Sequence, residues 1–401
     1  MLPRGILDIG WGDLGFALRA SVRSGDRADA QTRVEAAWST AGDALCALSV
    51  RSGLDLLLTA LDLPPGGEVL TSAMTIEDVP RIVAEHGLVA VPVDLDMHTL
   101  SVTVAALEQA VGPRTCAVLV AHLIGSRMPL AEVAAFARGR ALFLIEDCAQ
   151  AYTGPDFTGH PDSDVSMFSF GPIKTNTALG GALLRVKDPA LLDAMRTVQA
   201  RQPVQGDAEF RRRVVKYAGL KAASRPAAFG ALASTCRFFG TTHDAVISRA
   251  LHGFSDRRFF DRIRRQPSYP LLALLERRLR TVADGRIQRR RHTAETALAS
   301  MPATARIGAG APHHSHWVFP ITSSAPDELT RHLWARGFDA TRGATSLAVL
   351  EPPCDRPELA ATEAAETLSR MVYLPVHLGA SGSQLARLTR TVSDFEASRN
   401  R

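Results

Sequence analysis

The chain has 401 residues and very little lysine. Of its 46 basic side chains only four are lysines, and the other 42 are arginines. Arginine stays charged in proteins and cannot act as a neutral amine nucleophile. Schiff-base chemistry with an aldehyde is therefore excluded at nearly every basic position. Any such role falls to one of the four lysines, which are Lys174, Lys187, Lys216 and Lys221.

Cysteines and long apolar runs are also scarce. The five cysteines are an odd number without metal-type spacing, which favours reduced thiols over a disulfide framework. No apolar stretch approaches the roughly 18 residues that a membrane-spanning helix needs. The first residues lack the basic-then-apolar layout of a signal peptide. We therefore expect a cytoplasmic protein that does not enter a membrane.

Charge and histidine patterns argue against nucleic-acid and metal binding. The net charge of +5 is modest for this length, and arginine runs such as 211–213 lack any accompanying nucleic-acid-binding motif. We interpret these runs as solvated helix faces. The histidines at 313, 314 and 316 have no acidic or cysteine partner nearby, so no metal is expected. His122 follows a buried strand and is interpreted as a core histidine, with a role near a cofactor as the alternative.

Helical and strand-like segments alternate from about residue 50 to 186. The apolar runs at 89–93, 116–121 and 141–145 are continuous, which is typical of parallel strands covered by helices on both faces. The pattern predicts an open α/β sheet, in which ligands bind beyond the carboxyl ends of the strands. After residue 190 the chain becomes mostly helical. One long helix, weakly interrupted near Gly285, is predicted over 269–301.

Two domains are predicted from this organisation. Residues 1–265 would form an N-terminal arm and a large domain. Residues 266–401 would form the linking helix and a smaller C-terminal α+β domain.

Two short segments offer binding groups at the edge of the predicted sheet. The segment Ser52-Gly53-Leu54 opens a helix, where free amides and the positive dipole end suit a phosphate. Ser-Gly before a helix is also an ordinary N-cap. Asp147 and Gln150 follow an apolar strand. A carboxylate buried there either caps the next helix or pairs with a cation, such as a protonated ring nitrogen of a cofactor.

Two further segments surround Lys174. Ser169, between two phenylalanines, precedes the lysine by five residues and could share a phosphate. Gly180 and Gly181 follow it, and their missing side chains let the backbone turn closely behind the lysine.

Together these segments resemble fold-type I pyridoxal-phosphate (PLP) enzymes, most closely the DegT/DnrJ/EryC1/StrS sugar-aminotransferase family. In that family an aspartate, a glutamine three residues on, and a Phe-Ser-Phe…Lys run recur in this order. Here they are Asp147, Gln150, Ser169 and Lys174. The likeness extends from about residue 45 to 190. It implies a large PLP-binding domain with a mostly parallel central sheet between helices, and a smaller C-terminal α+β domain.

The resemblance also implies a role for each residue. Lys174 would hold PLP as an internal aldimine and then move a proton between substrate and cofactor. Asp147 would keep the pyridine nitrogen protonated, and Gln150 would hydrogen-bond the ring oxygen. The phosphate would be held by residues at the helix start and by a strand-end hydroxyl, namely Ser52, Gly53, Leu54 and Ser169. Such enzymes are usually homodimers with shared active sites.

The chain departs from the family pattern at several places, two of which lie near the predicted cofactor contacts. The family commonly stacks an aromatic residue on the cofactor just after a threonine, whereas Thr75 is followed here by Ile76. Thr75 and Ile76 are still predicted to contact the cofactor. Where the family often has Gly-Glu-Gly-Gly after the lysine, this chain has Ala178-Leu179-Gly180-Gly181. We expect these changes to lie on the substrate side and at dimer contacts.

The sequence therefore predicts a PLP-dependent aminotransferase. It would transfer an amino group from a glutamate-like amino acid to a keto group of a sugar or small biosynthetic intermediate. One alternative is a PLP enzyme of the same fold that performs elimination, decarboxylation or carbon–carbon bond chemistry. The other is a non-catalytic homologue with a binding or regulatory role.

Overall fold

A computed structural model describes residues 1–238, 241–244, 258–281, 284–299, 301 and 306–399. All five cysteines carry free thiols. None of the described helices is both long and apolar enough to cross a bilayer.

Helices and strands alternate through the first half of the chain, as predicted. The described helices are α1 (Trp11–Ala20), α2 (Arg27–Trp38), α3 (Val50–Leu61), α4 (Asp78–Glu85), α5 (Val104–Ala110), α6 (Ala131–Gly139), α7 (Pro189–Ala200), α8 (Asp207–Ala223), α9 (Pro226–Phe238), α10 (Phe259–Ile263), α11 (Tyr269–Arg280), α12 (Asp284–Ala299), α13 (Pro326–Ala335), α14 (Thr362–Arg370) and α15 (Gly382–Arg399). The described strands are β1 (Ala44–Ala47), β2 (Glu68–Ser72), β3 (Met74–Ile76), β4 (Val89–Val93), β5 (Leu95–Asp96), β6 (Ser101–Val102), β7 (Thr115–Ala121), β8 (Ser126–Arg127), β9 (Phe143–Asp147), β10 (Val165–Ser169), β11 (Ala182–Val186), β12 (His313–His314), β13 (Pro320–Thr322), β14 (Leu347–Val349) and β15 (Met371–Tyr373).

The central sheet has seven strands in the order β1-β11-β10-β9-β7-β2-β4. β11 runs antiparallel to both of its neighbours, and every other adjacent pair is parallel. The carboxyl ends of β1, β9 and β10 therefore lie at the same edge of the sheet. This arrangement confirms the predicted α/β class with a mostly parallel sheet.

The continuous apolar runs arise because both faces of the sheet are buried. Along β7, Val118 and Val120 pack into one apolar cluster, whereas Ala117 and Leu119 pack into another. Successive side chains of a strand point to opposite faces. Residues 117–121 of β7 therefore all point into a buried layer and are apolar. The alternation of apolar and polar residues that a half-exposed strand would show is absent there.

The second half of the chain contains the predicted helices. The helix predicted over 269–301, with a weak interruption near Gly285, is observed as α11, which ends at Arg280, and α12, which spans Asp284–Ala299. α11 packs against α1 and α2. β13, β15, α13 and α15 contribute to a separate apolar core that includes Ile321 and Val372. The predicted domain boundary between residues 265 and 266 stays a prediction.

Candidate functional site

Lys174 lies in the turn between β10 and β11, beyond the carboxyl end of β10. The carbonyl of Phe170 accepts hydrogen bonds from the amides of Ala178 (3.0 Å) and Gly180 (3.1 Å), which closes this turn. Gly181 has a φ of +87°, and a Cβ there would lie 3.1 Å from a methyl carbon of Leu275. The backbone behind the lysine thus turns closely over the core, as predicted from the two glycines.

The surroundings of Lys174 favour a neutral amine. Burial lowers the pKa of its ammonium group to about 7, while Asp147 acts against this shift and Arg51 adds to it. The ring centre of Trp317 lies 4.1 Å from the Lys174 Nζ. A lysine with a pKa near 7 is about half neutral at neutral pH, and the neutral amine is the form that attacks an aldehyde.

Asp147 ends β9 and faces the same region. One of its carboxylate oxygens accepts from the amide of Ala149 at 2.8 Å. No helix begins directly after this strand, so Asp147 caps a turn rather than a helix. Burial raises the pKa of Asp147, and the amide of Ala149 and the charge of Lys174 act in the opposite direction. A cation bonded to this carboxylate would offset the cost of its burial.

Gln150 is oriented by the loop that follows β7. Its Oε1 accepts from the backbone amide of Ile124 at 2.7 Å. The amide hydrogen identifies the oxygen, so the NH₂ group of Gln150 is turned away from Ile124 and can donate to a ligand. This orientation suits the predicted hydrogen bond to a ring oxygen.

The helix predicted to bind phosphate begins earlier than expected. α3 starts at Val50, with Ser49 as its N-cap. The amide of Ser52 donates to the Ser49 hydroxyl (3.2 Å), and the amide of Gly53 donates to the Ser49 carbonyl (2.9 Å). Only first-turn amides lack partners within a helix. The predicted helix start at Ser52 is therefore wrong, and contact of Ser52, Gly53 and Leu54 with a phosphate stays a prediction.

Gly53 and Leu54 are explained by packing. A Cβ on Gly53 would lie 2.8 Å from a methyl carbon of Leu184 in β11, so only glycine lets α3 approach the sheet this closely. Leu54 is 1% exposed and belongs to the apolar core. Ser52 retains a place at the site, because its hydroxyl lies 2.9 Å from that of Ser49 in the first turn.

Ser169, Thr75 and Ile76 lie at strand ends. The Ser169 hydroxyl, at the carboxyl end of β10, is 3.4 Å from the amide of Gly171. Thr75 is buried and Ile76 is half-buried in β3, which pairs with β14. The sheet therefore brings Ser169, Asp147 and Lys174 to one edge. Contact of Thr75 and Ile76 with a cofactor stays a prediction.

Sequence reasoning missed two residues near Lys174. Arg51, in the first turn of α3, forms an ion pair with Asp78, and its charge acts on both Lys174 and Asp147. Its position two residues after the N-cap serine, in the first helical turn, was the available signal. Trp317 donates from its ring nitrogen to the carbonyl of Ile173 at 2.9 Å. No spacing rule predicts this contact, because the two residues are 144 positions apart.

His122 is a core histidine, as interpreted from the sequence. Its Nδ1 accepts from the amide of Met128 (3.1 Å), so Nε2 carries the proton and donates to Glu146 (2.8 Å). Burial acts to raise the pKa of Glu146, but hydrogen bonds, that of His122 foremost, lower it to about 2. Among the described residues, His122, Glu146 and Cys148 are the one group spaced closely enough to hold a metal. The two ring nitrogens and the carboxylate are already engaged in these hydrogen bonds.

The histidines near residue 314 lie beside cations. The rings of His314 and His316 stack with their centres 4.1 Å apart. Burial, followed by neighbouring charges that include Arg290 and Arg291, lowers the pKa of His314 to about 3 and that of His316 to about 4. Nearby arginines disfavour a bound metal cation at this position.

The segment after Lys174 in which the chain departs from the family pattern lies in the apolar core. Ala178 and Leu179 are both fully buried, at 0% exposure, in the apolar cluster that also contains Phe170 and Leu271. The expectation that this departure lies on the substrate side is wrong, because these side chains pack behind the turn that carries Lys174.

Comparison with known proteins identifies relatives of this chain. A curated relative, the spore coat polysaccharide biosynthesis protein SpsC of Bacillus subtilis (strain 168), is 31% identical over 169 residues. The match covers 41% of this chain and 42% of the relative, so it spans less than half of that protein.

Solved structures share the fold. The sugar aminotransferase CalS13 from Micromonospora echinospora superposes with a TM-score of 0.69 at 19% identity, covering 98% of this chain and 100% of that one. NtdA from Bacillus subtilis, solved with the bound cofactor PMP (pyridoxamine phosphate), gives a TM-score of 0.70 at 15% identity, covering 97% of this chain and 83% of that one. These likenesses confirm the predicted fold.

The sequence itself decides the family. The model described as the DegT/DnrJ/EryC1/StrS aminotransferase family matches residues 18–223, which is just over half of the sequence. The resemblance seen in Asp147, Gln150, Ser169 and Lys174 falls within the matched residues. The chain belongs to the DegT/DnrJ/EryC1/StrS aminotransferase family.

Proposed function

We propose that this protein is a PLP-dependent aminotransferase that moves an amino group from a glutamate-like amino acid to a keto group of a sugar or small biosynthetic intermediate. The observation that carries the proposal is Lys174, whose pKa is lowered to about 7, beside Asp147 at the carboxyl edge of the central sheet. Membership of the family supports the reaction class. The sugar acceptor is supported by SpsC and CalS13, which are named for polysaccharide biosynthesis and sugar amination.

The residues at the sheet edge fit PLP. Lys174 would bond the aldehyde carbon through its Nζ and later carry a proton to and from the substrate carbon. The bound cofactor supplies an electron sink. Asp147 would accept from the protonated ring nitrogen, which offsets the burial that raises its pKa. The NH₂ group of Gln150, held in place by Ile124, would donate to the ring oxygen.

The phosphate and the ring face involve further side chains. The first turn of α3 presents the Ser52 hydroxyl and the positive end of the helix dipole, and Ser169 adds a second hydroxyl. Thr75 and Ile76 are proposed contacts of the ring, as the resemblance implies. Trp317, beside Lys174, supplies an aromatic side chain where Ile76 is aliphatic.

We also propose a cytoplasmic homodimer with shared active sites and with domains at residues 1–265 and 266–401. The dimer rests on the resemblance to fold-type I PLP enzymes, which are usually homodimers with shared active sites. Light scattering should give about twice the chain mass of 43.1 kDa. A mass of one chain at micromolar concentration would contradict the dimer.

Absorbance spectra test the proposed function. The protein supplied with PLP should show a near-visible band, which Lys174→Ala removes and which the exposed-lysine control Lys187→Ala retains. Adding L-glutamate should convert the band to that of the pyridoxamine form. A PLP-loaded protein that no amino donor converts would favour elimination, decarboxylation or carbon–carbon bond chemistry. Failure to bind PLP would favour a binding or regulatory role.

A further inference from the structure

Arg290 on α12 is a cation with an incomplete set of partners. Its Nε donates to the carbonyl of Ser315 at 2.8 Å, and its Nη1 donates to the hydroxyl of Thr175 at 3.1 Å. Its Nη2 is buried and has no hydrogen-bond partner. No carboxylate among the described residues lies within ion-pair distance of Arg290. A buried, charged donor left unsatisfied is unfavourable unless a ligand completes it.

The position of this guanidinium places it at the wall of the candidate active site. Thr175 directly follows Lys174 in the chain. Ser315 lies two residues before Trp317, whose ring contacts the Lys174 Nζ. Arg290 therefore bridges the two segments that border the reactive lysine.

Two more unsatisfied polar atoms belong to segments bonded to this one. The hydroxyl of Ser315 is buried without a partner, while its amide donates to the carbonyl of Gly125 at 2.7 Å. The Nε of Arg127, two residues after Gly125, is also buried without a partner, and its guanidinium stacks on Phe157. Three unsatisfied groups, two of them cationic, thus come from segments that are hydrogen-bonded to one another.

Arg278 on α11 provides a contrast within the chain. Arg278, which is 4% exposed, donates from Nε to the carbonyl of Thr177, from Nη1 to Asp13 and from Nη2 to the carbonyl of Asp8. Arg278 is satisfied by the protein itself, whereas Arg290 retains one buried nitrogen for a further acceptor.

We propose that Arg290 binds an anionic group of the substrate, a carboxylate or a phosphate, beside Lys174. This inference rests on the proposed function. A guanidinium donates to either oxyanion by charge-assisted hydrogen bonds. The Ser315 hydroxyl and Arg127 would add a donor and a second positive charge. The anion comes either from the carboxylates of the amino donor or from a phosphate on the keto acceptor.

Anion titrations of the PLP-loaded protein test this proposal. Loading with PLP occupies the phosphate site at α3, so added anions report on the substrate side. Isothermal titration calorimetry with glutarate, an unreactive mimic of glutamate, and with inorganic phosphate gives the two dissociation constants. Arg290→Gln should weaken at least one of them by about 10- to 100-fold, the usual range for losing a charged hydrogen bond.

Matched variants separate this effect from a general loss of positive charge. Arg289 is the exposed neighbour of Arg290 on the same helix, and its Nε donates to the carbonyl of Gly285. Arg289→Gln removes the same charge from α12 and should leave both dissociation constants unchanged. Arg290→Lys keeps the charge but not the fork of donors, and it should weaken binding by a smaller factor. It serves as the deciding variant if Arg290→Gln does not fold.

The pattern of losses identifies the source of the anion. Weakened binding of glutarate alone assigns Arg290 to the amino donor, and weakened binding of phosphate alone assigns it to a phosphorylated acceptor. Wild-type protein that binds neither anion, or variants at position 290 that bind both as tightly as wild type, would overturn the inference. Absence of the PLP absorbance band beforehand would instead refute the proposed function.

Discussion

Capture of PLP by Lys174 should follow pH with a midpoint near 7. Only the neutral amine attacks the aldehyde, and burial lowers the pKa of Lys174 from 10.5 to about 7. The neutral fraction should then rise from about one tenth at pH 6 to about nine tenths at pH 8. A lysine with its ordinary pKa would gain about a hundredfold in neutral fraction over the same interval.

Stopped-flow absorbance measures this dependence. Protein freed of cofactor is mixed with PLP at pH 6, 7, 8 and 9, and the growth of the near-visible band is followed. We expect the rate to rise about tenfold from pH 6 to 8 and then to level off. The same measurement with N-acetyl-lysine in solution corrects for the ionisation of PLP itself.

Two variants check the physical cause of the shift. The carboxylate of Asp147 holds the pKa of Lys174 higher than burial alone would, so Asp147→Asn should move the midpoint below 7. Lys187→Ala, at an exposed lysine, should leave the profile unchanged. A rate that still climbs about tenfold per pH unit up to pH 9 would refute the argument that burial makes this amine neutral.

Two further predictions concern stability. Gly53→Ala should lower the free energy of unfolding by about 1–3 kcal/mol, because its Cβ would collide with Leu184. Gly219→Ala, in α8 with nothing within 4 Å, should be neutral or stabilising by up to about 1 kcal/mol. Equal effects in chemical denaturation would contradict the packing explanation. Because the pKa of Glu146 is lowered from 4.5 to about 2, its contribution, on the order of 3 kcal/mol, is complete above pH 4.5 and is lost as pH falls towards 2. Glu146→Gln should flatten this dependence in urea denaturation between pH 5 and 3, and an unchanged slope would argue against the His122 pairing.

Much of the candidate site could be read from local sequence. Asp147 directly ends a buried strand, Ser169 ends the neighbouring parallel strand, and Lys174 follows that strand. Since parallel strands end at one edge, short-range spacing alone predicts that these side chains meet. The helix start at Val50 was harder to predict, because the N-cap serine at 49 and the serine at 52 are both plausible caps.

What the sequence by itself determined is the α/β architecture, the family and the lysine, carboxylate, amide and hydroxyl at the sheet edge. These follow from burial patterns and from spacings of a few residues. Only the tertiary structure decided that Trp317 lies against Lys174, that Arg290 bonds to Thr175 and that Gly53 accommodates Leu184. Such contacts join residues more than a hundred positions apart. They depend on how the helices and strands pack against one another, and no local sequence periodicity encodes this packing.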